Sequence, residues 1–232
     1  MNLKQIFIDG NRWQFLWHGL EITLLITIFS VMLGMVFGLV LALMRQRQPR
    51  VKSRLKFSIM SLLARFYITI IRGTPALVQL LIFYYVIFGS APSVQKLWVA
   101  VLAFGFNSAA YVAEIIRGGI ESIDKGQIEA ARSLGLSEPQ TMVYIVLPQA
   151  FRNSLPALIN EFVTMLKDTS IVGWIGMNDL MRGADNIRFQ TGTAFESLFA
   201  VALIYLFLTS IFTYATGKLE KSLRVGERNG AN

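Results

Sequence analysis

The chain of 232 residues has no cysteine and a single histidine, His18. The first absence excludes a disulfide framework and a thiolate metal site, and leaves the redox compartment unread. With so few metal ligands and acid–base groups, neither a metal centre nor an extensive catalytic apparatus is expected. His18 stands at the mouth of a long apolar run and reads as an interfacial residue. Charge is scarce as well, at 16% of residues. No glycine-rich stretch ends in Gly-Lys-Ser or Gly-Lys-Thr, and Gly217 and Lys218 are followed by Leu219. A phosphate-binding loop for ATP is therefore missing from this chain. No period of about twenty to fifty residues recurs, so residues 1–232 read as one domain and not a repeat array.

What is abundant is apolar surface: 54% of residues are hydrophobic and the mean hydropathy is +0.52. That is well above an ordinary soluble domain. An all-α polytopic membrane protein is expected. A helix needs about twenty apolar residues to cross the hydrocarbon layer, and five candidate spans emerge, at about 20–44, 57–88, 97–117, 142–167 and 194–216. The first carries Gly34 and Gly38 at a spacing suited to close helix contact, and it is too long for a signal-peptide core. Before it, Met1 to Trp17 mixes aromatic and charged residues and suits a helix in the headgroup zone. The second is interrupted at Arg72, Gly73, Thr74 and Pro75, where proline removes a backbone donor and disfavours helix at the residue before it. Gly118 and Gly119 are expected to end the third. The fourth is interrupted at Lys167, Asp168, Thr169 and Ser170, and Asp179 to Thr193 reads as polar and external.

The net charge of +8 is confined to flanks. Arg45, Arg47, Arg50, Lys52, Arg54 and Lys56 form a loop without one acidic residue, and Lys218, Lys221, Arg224 and Arg228 follow the last span. Such loops stay in the cytoplasm and attract anionic lipid, which explains the excess without nucleic acid. The alternation places the N-terminus outside and the C-terminus inside. The polar loop at 125–138 then lies inside too. It reads as a short exposed helix that stops at Gly135, with Glu129 and Arg132 on one face and Ala130 and Ala131 leaving a shallow apolar spot for a partner's groove.

Ionisable groups within spans are costly and are candidates for function. Asn107, Tyr111 and Glu114 share one face of the third helix, as do Glu161 and Asp168 on the fourth. Two interrupted helices near the midplane expose backbone groups that can hold a charged solute. Arg72, Gly73 and Thr74 at the first break and Ser170 at the second complete the candidate solute-binding set. Arg72 and free amides complement a carboxylate, and Glu161 and Asp168 complement an ammonium. Glu114 can equally pair with Arg117, Lys167 with Asp168, and Asn107 with a neighbouring helix.

The spacing Glu129, Ala130, Ala131, Gly135, Ile145, Leu147, Pro148 resembles the EAA loop of permease subunits of binding-protein-dependent ABC importers, which docks on a cytoplasmic ATPase. The segments Arg72 to Pro75 with Gln79, Asn107 to Gly118, Lys125 with Gly126, and Lys167 to Ser170 are similar to the polar amino-acid branch of that class. The resemblance covers about Ala64 to Ile175. It implies a multi-pass subunit of a bacterial inner membrane, paired with an identical or paralogous permease. Two copies of a cytoplasmic ATP-binding subunit would carry ATP and magnesium, with no cofactor in this chain, and an extracytoplasmic binding protein would deliver the amino acid. Glu129, Ala130, Ala131, Gly135, Leu147 and Pro148 would then couple to the ATPase. Glu161 and Asp168 favour a cationic amino acid, with glutamine or glutamate as the alternative. A proton-coupled carrier or channel, or an intramembrane enzyme using the same carboxylates, would not need an alanine-rich docking helix.

Overall fold

The structure, a computed structural model, describes residues 2–45, 54–91 and 94–229. Arg47, Arg50 and Lys52 of the expected basic loop lie outside the described residues. The described residues hold helices and no strand: α1 (Leu3–Phe7), α2 (Trp13–Arg45), α3 (Arg54–Gly73), α4 (Ala76–Leu81), α5 (Lys96–Glu121), α6 (Lys125–Ser133), α7 (Glu138–Thr141), α8 (Leu147–Asp168), α9 (Leu180–Thr191) and α10 (Ala194–Asn229).

Among these residues, three helices are long and apolar enough to cross a membrane, namely α2, α5 and α10, and the count rises to four if the bent pair formed by α3 and α4 is one span. The expected break is present: the two arms bend by 107°. Pro75 begins the second arm in extended conformation, and the Gln79 side chain reaches back to the carbonyls of the bend. The fourth expected span forms α8, whose polar residues keep it out of that apolar class. Pro148 occupies its first turn, where a missing N–H costs nothing, and Pro156 lies within it.

Two boundaries differ from expectation. Gly118 and Gly119 do not end α5, which runs through both to Glu121. Gly119 instead lets α8 approach: a Cβ there would overlap Ser154 Oγ and come within 2.7 Å of the Ala150 carbonyl oxygen. Trp13 and Trp17 belong to the continuous α2 and not to a separate surface helix. Among the described residues, Leu3–Phe7 and a short 3-10 turn at Asp9–Asn11 precede it.

The core is built around α5, most of whose apolar stretch is buried, whereas almost none of that in α10 is. Gly34 and Gly38 of α2 meet Ser108 and Val112 of α5, with a Cβ at either glycine only 2.7 Å from its neighbour's Cβ. This is the close contact their spacing predicts. Ile26, Leu80, Phe104, Met165 and Val172 fill the space where α2, α4, α5 and α8 converge. The stretch after α8 becomes a 3-10 helix at Thr169–Ile175, and Gly176, with φ +72°, turns the chain toward α9. The segment Asp179 to Thr193, read as polar and external, forms α9 and packs against the first turns of α2. Its Gly183 lies under the Phe15 carbonyl, 2.5 Å from where a Cβ would sit.

Candidate functional site

The polar residues of the spans gather in three layers along α5 and α8, which run antiparallel. The layer nearest Arg45 centres on Glu114, whose carboxylate accepts from Arg117 Nε at 2.9 Å and pairs with Arg45 of α2. Arg72, at the end of α3, approaches the same carboxylate at 3.9 Å and lays its guanidinium over the Tyr111 ring, 5.3 Å from the centroid. Arg117 also pairs with Glu121. Arg72, Tyr111 and Glu114 are therefore brought together. The pairing of Glu114 with Arg117 foreseen from their spacing occurs, and Arg45 joins from a different helix, which spacing along one helix could not reveal.

The middle layer is the bend. A helix that stops at Gly73 leaves carbonyls without partners, and the Gln79 amide supplies donors. Its Nε2 donates to the carbonyls of Ile71 at 2.8 Å and Thr74 at 3.1 Å, and to Thr74 Oγ1 at 2.8 Å. Gln79 Oε1 in turn accepts from Asn107 Nδ2 at 2.9 Å. Asn107 is thus an interhelical partner, and Thr74 is tied to it through Gln79. Gly73 is exposed with open space around its Cα. Gln79 was legible as one amide in an otherwise apolar run, four residues beyond Pro75, but nothing in its spacing named its partners.

One helical face further round α5, Ser108 donates to Glu161 Oε1 of α8 at 2.8 Å, and both residues are buried. Glu161 has no lysine or arginine three or four residues away on its own helix and finds a hydroxyl across the interface. About 10 Å farther along α8, by the rise per residue, Asp168 ends the helix, and Ser170 is half-buried in the 3-10 turn that follows. The candidate residues thus form a column along one helix pair and not a single cluster. Among the described residues, no group of three or more histidine, aspartate or glutamate side chains could hold a metal ion.

Beyond the Arg45 end of this column, Asp124 caps α6 by accepting from the Gly126 amide, and α6 carries Glu129, Ala130 and Ala131. The helix starts at Lys125, so Lys125 and Gly126 lie in its first turn. Gly135 has φ +90°. The Leu136 amide donates back to the Ala131 carbonyl and the Gly135 amide to that of Arg132, each at 3.1 Å, the paired bonds of a left-handed helix stop. Glu129 and Ala130 are exposed, Ala131 is buried, and Leu134 stands 82% exposed at the tip. After α7, a π-helical turn at Met142–Val146 leads into Leu147 and Pro148 at the start of α8.

Comparison with known proteins agrees with this architecture. The arginine transport system permease protein ArtQ of Bacillus subtilis (strain 168) is 40% identical over 214 residues, covering 90% of this chain and 93% of that protein. The putative glutamine transport system permease protein GlnP of Rickettsia typhi (strain ATCC VR-144 / Wilmington) is 36% identical over 228 residues, covering 96% and 99%. A crystal structure of an amino acid ABC transporter with histidines superposes with a TM-score of 0.84 at 40% identity, over 96% of this chain and 100% of that one. A structure of the MetNI methionine ABC transporter, 19% identical with a TM-score of 0.74 over 90% and 96%, shares the fold. The family model for the binding-protein-dependent transport system inner membrane component matches residues 30–225, and the chain belongs to that family.

Proposed function

We propose that this chain is the permease subunit of an ATP-driven importer for a polar amino acid, with a side chain of positive charge favoured. Membership of the family and the amino-acid transport named in its relatives support the importer permease. The observation that carries the finer reading is Glu161. It is a buried carboxylate whose partner is a neutral hydroxyl, so a cationic solute would offset its desolvation. The relative named for arginine and the crystal structure named for histidines point the same way. Glutamine is the second reading, favoured by the relatives named for it.

The mechanism is alternating access. Two cytoplasmic subunits bind ATP and magnesium and close, α6 moves with them through Glu129, Ala130, Ala131 and Gly135, and the spans rock about the column of polar residues. A second permease, identical or paralogous, completes the path, and a binding protein delivers the solute from outside. The orientation puts the N-terminus outside and α6 in the cytoplasm. Single cysteines at Ser90 and at Ser133 should then label from opposite sides of the membrane.

The deciding experiment compares wild type and Glu161→Gln in vesicles with the ATPase and binding protein. Loss of arginine uptake with glutamine uptake retained supports a cationic side chain held by Glu161. Equal loss of both assigns Glu161 to the α-ammonium, and unchanged uptake of both removes it from the site.

A further inference from the structure

The docking helix α6 has nine residues, too few to be a stable helix alone. It packs against α7 and the π-helical turn at Met142–Val146, and a side-chain hydrogen bond ties it to α8. Gln149 and Asn153 are four residues apart and so share one face of α8. Gln149 Nε2 donates to Gln127 Oε1 of α6 at 2.7 Å and to the Ile145 carbonyl of the preceding turn at 2.9 Å. Asn153 Nδ2 donates to Ser122 Oγ at 2.9 Å, and that hydroxyl donates to the Gly119 carbonyl at 2.7 Å. Beside these bonds, Gly119 admits the Ala150 carbonyl and the Ser154 side chain of α8 with no room for a Cβ. The end of α5, the start of α6 and the first turns of α8 are thereby fastened at three points.

The same two long helices meet again at Ser108 and Glu161. Two separated points of contact fix the angle between two rods. We propose that Gln149 and Asn153 are positioning residues that yoke α6 to α5 and α8, so that the three move as one body during transport. A push on α6 then displaces Ser108 and Glu161 together and leaves their bond intact. Relative motion must arise elsewhere, and the 107° bend between α3 and α4 is the break in the bundle that offers it. This inference rests on the docking role assigned to α6.

The absence of cysteine from this chain makes the yoke testable by paired cysteines introduced into it within the full complex. The double variant Ser122→Cys with Asn153→Cys, joined by a short methanethiosulfonate cross-linker, should keep the uptake of its uncross-linked form. It should also keep its stimulation of ATP hydrolysis by the binding protein. Uptake that stops on cross-linking and returns on reduction would show that the two segments must separate, which overturns the yoke. A complex with the wild-type chain that never couples ATP to uptake would instead count against the docking reading itself. Removing one clasp with Gln149→Leu should raise the ATP hydrolysed per solute by about twofold to tenfold, the range that one uncharged hydrogen bond gives. Assembly with the ATPase should be retained. An unchanged ratio in that variant also overturns the proposal, because a purely structural contact would leave stoichiometry alone.

Discussion

Ser108 and Glu161 are joined at 2.8 Å across the interface of α5 and α8, and both are buried. A carboxylate in that position loses its hydration and receives one hydroxyl in return. Ser108→Ala removes the hydroxyl and leaves the acceptor unsatisfied, a cost of about 1–3 kcal/mol. Uptake should fall about tenfold or more while the complex still assembles. Uptake at the wild-type rate would separate this pair from transport.

Gly34 is the partner of Ser108 on the other side. A Cβ at 34 would sit 2.7 Å from both Cβ and Oγ of Ser108, and α2 would have to withdraw. Gly34→Ala should therefore destabilise the chain by about 1–3 kcal/mol, the usual range for overpacking. Gly118→Ala is the control, because open space surrounds that helical glycine, and the loss of unfolded-chain entropy should stabilise by about 0.4–1 kcal/mol. Thermal unfolding in detergent should shift in opposite directions for the two variants.

These two glycines show where the sequence was legible and where it was not. Gly34 and Gly38 have a period, and a period announces a face. Gly118 and Gly119 have only the look of a helix stop, and the decision against it came from α8, whose Ala150 and Ser154 lie more than thirty residues away. In the same way the bend at Pro75 followed from local chemistry, while its angle depends on Gln79 meeting Asn107. The left-handed stop at Gly135 was legible because it is local. The arginine partners of Glu114 were half legible: Arg117 lies on the same helix, whereas Arg45 and Arg72 arrive from two others. The polar column reads as separate stripes along the chain, and only packing assembles it into layers.

Gly135 carries a prediction about coupling. Its φ of +90° excludes an ordinary side chain on backbone grounds alone, since nothing lies within 4 Å of a Cβ there. A β-branched residue suffers most in this region, by about 1–2 kcal/mol. Gly135→Val should unravel the stop that links Leu136 to Ala131, so that α6 co-purifies less ATPase or hydrolysis no longer drives uptake. Gly135→Asn tolerates the conformation better and should retain more of both. Equal behaviour of the two variants would show that the left-handed stop is not what positions the helix.

The last prediction concerns Asp179, outside the spans, which caps α9. Its two carboxylate oxygens accept from the amides of Met181 at 3.0 Å and Arg182 at 3.2 Å, yet the residue is fully buried. Burial outweighs those bonds, with Asp185 adding like charge, and pushes the carboxyl from its ordinary 3.8 up to about 6. Between those pH values the folded protein holds a proton that the unfolded chain releases. The stability this contributes is fully present below pH 4 and is lost as pH rises through 6, on the order of 2–3 kcal/mol at 1.36 kcal/mol per unit. Asp179→Asn keeps a capping oxygen but cannot ionise. The variant should be less stable than wild type at pH 4, where it lacks one acceptor, and more stable at pH 7.5, where wild type carries a buried charge. Thermal unfolding of both proteins across that range should therefore cross, and parallel curves would show that Asp179 titrates alike in the folded and unfolded chains.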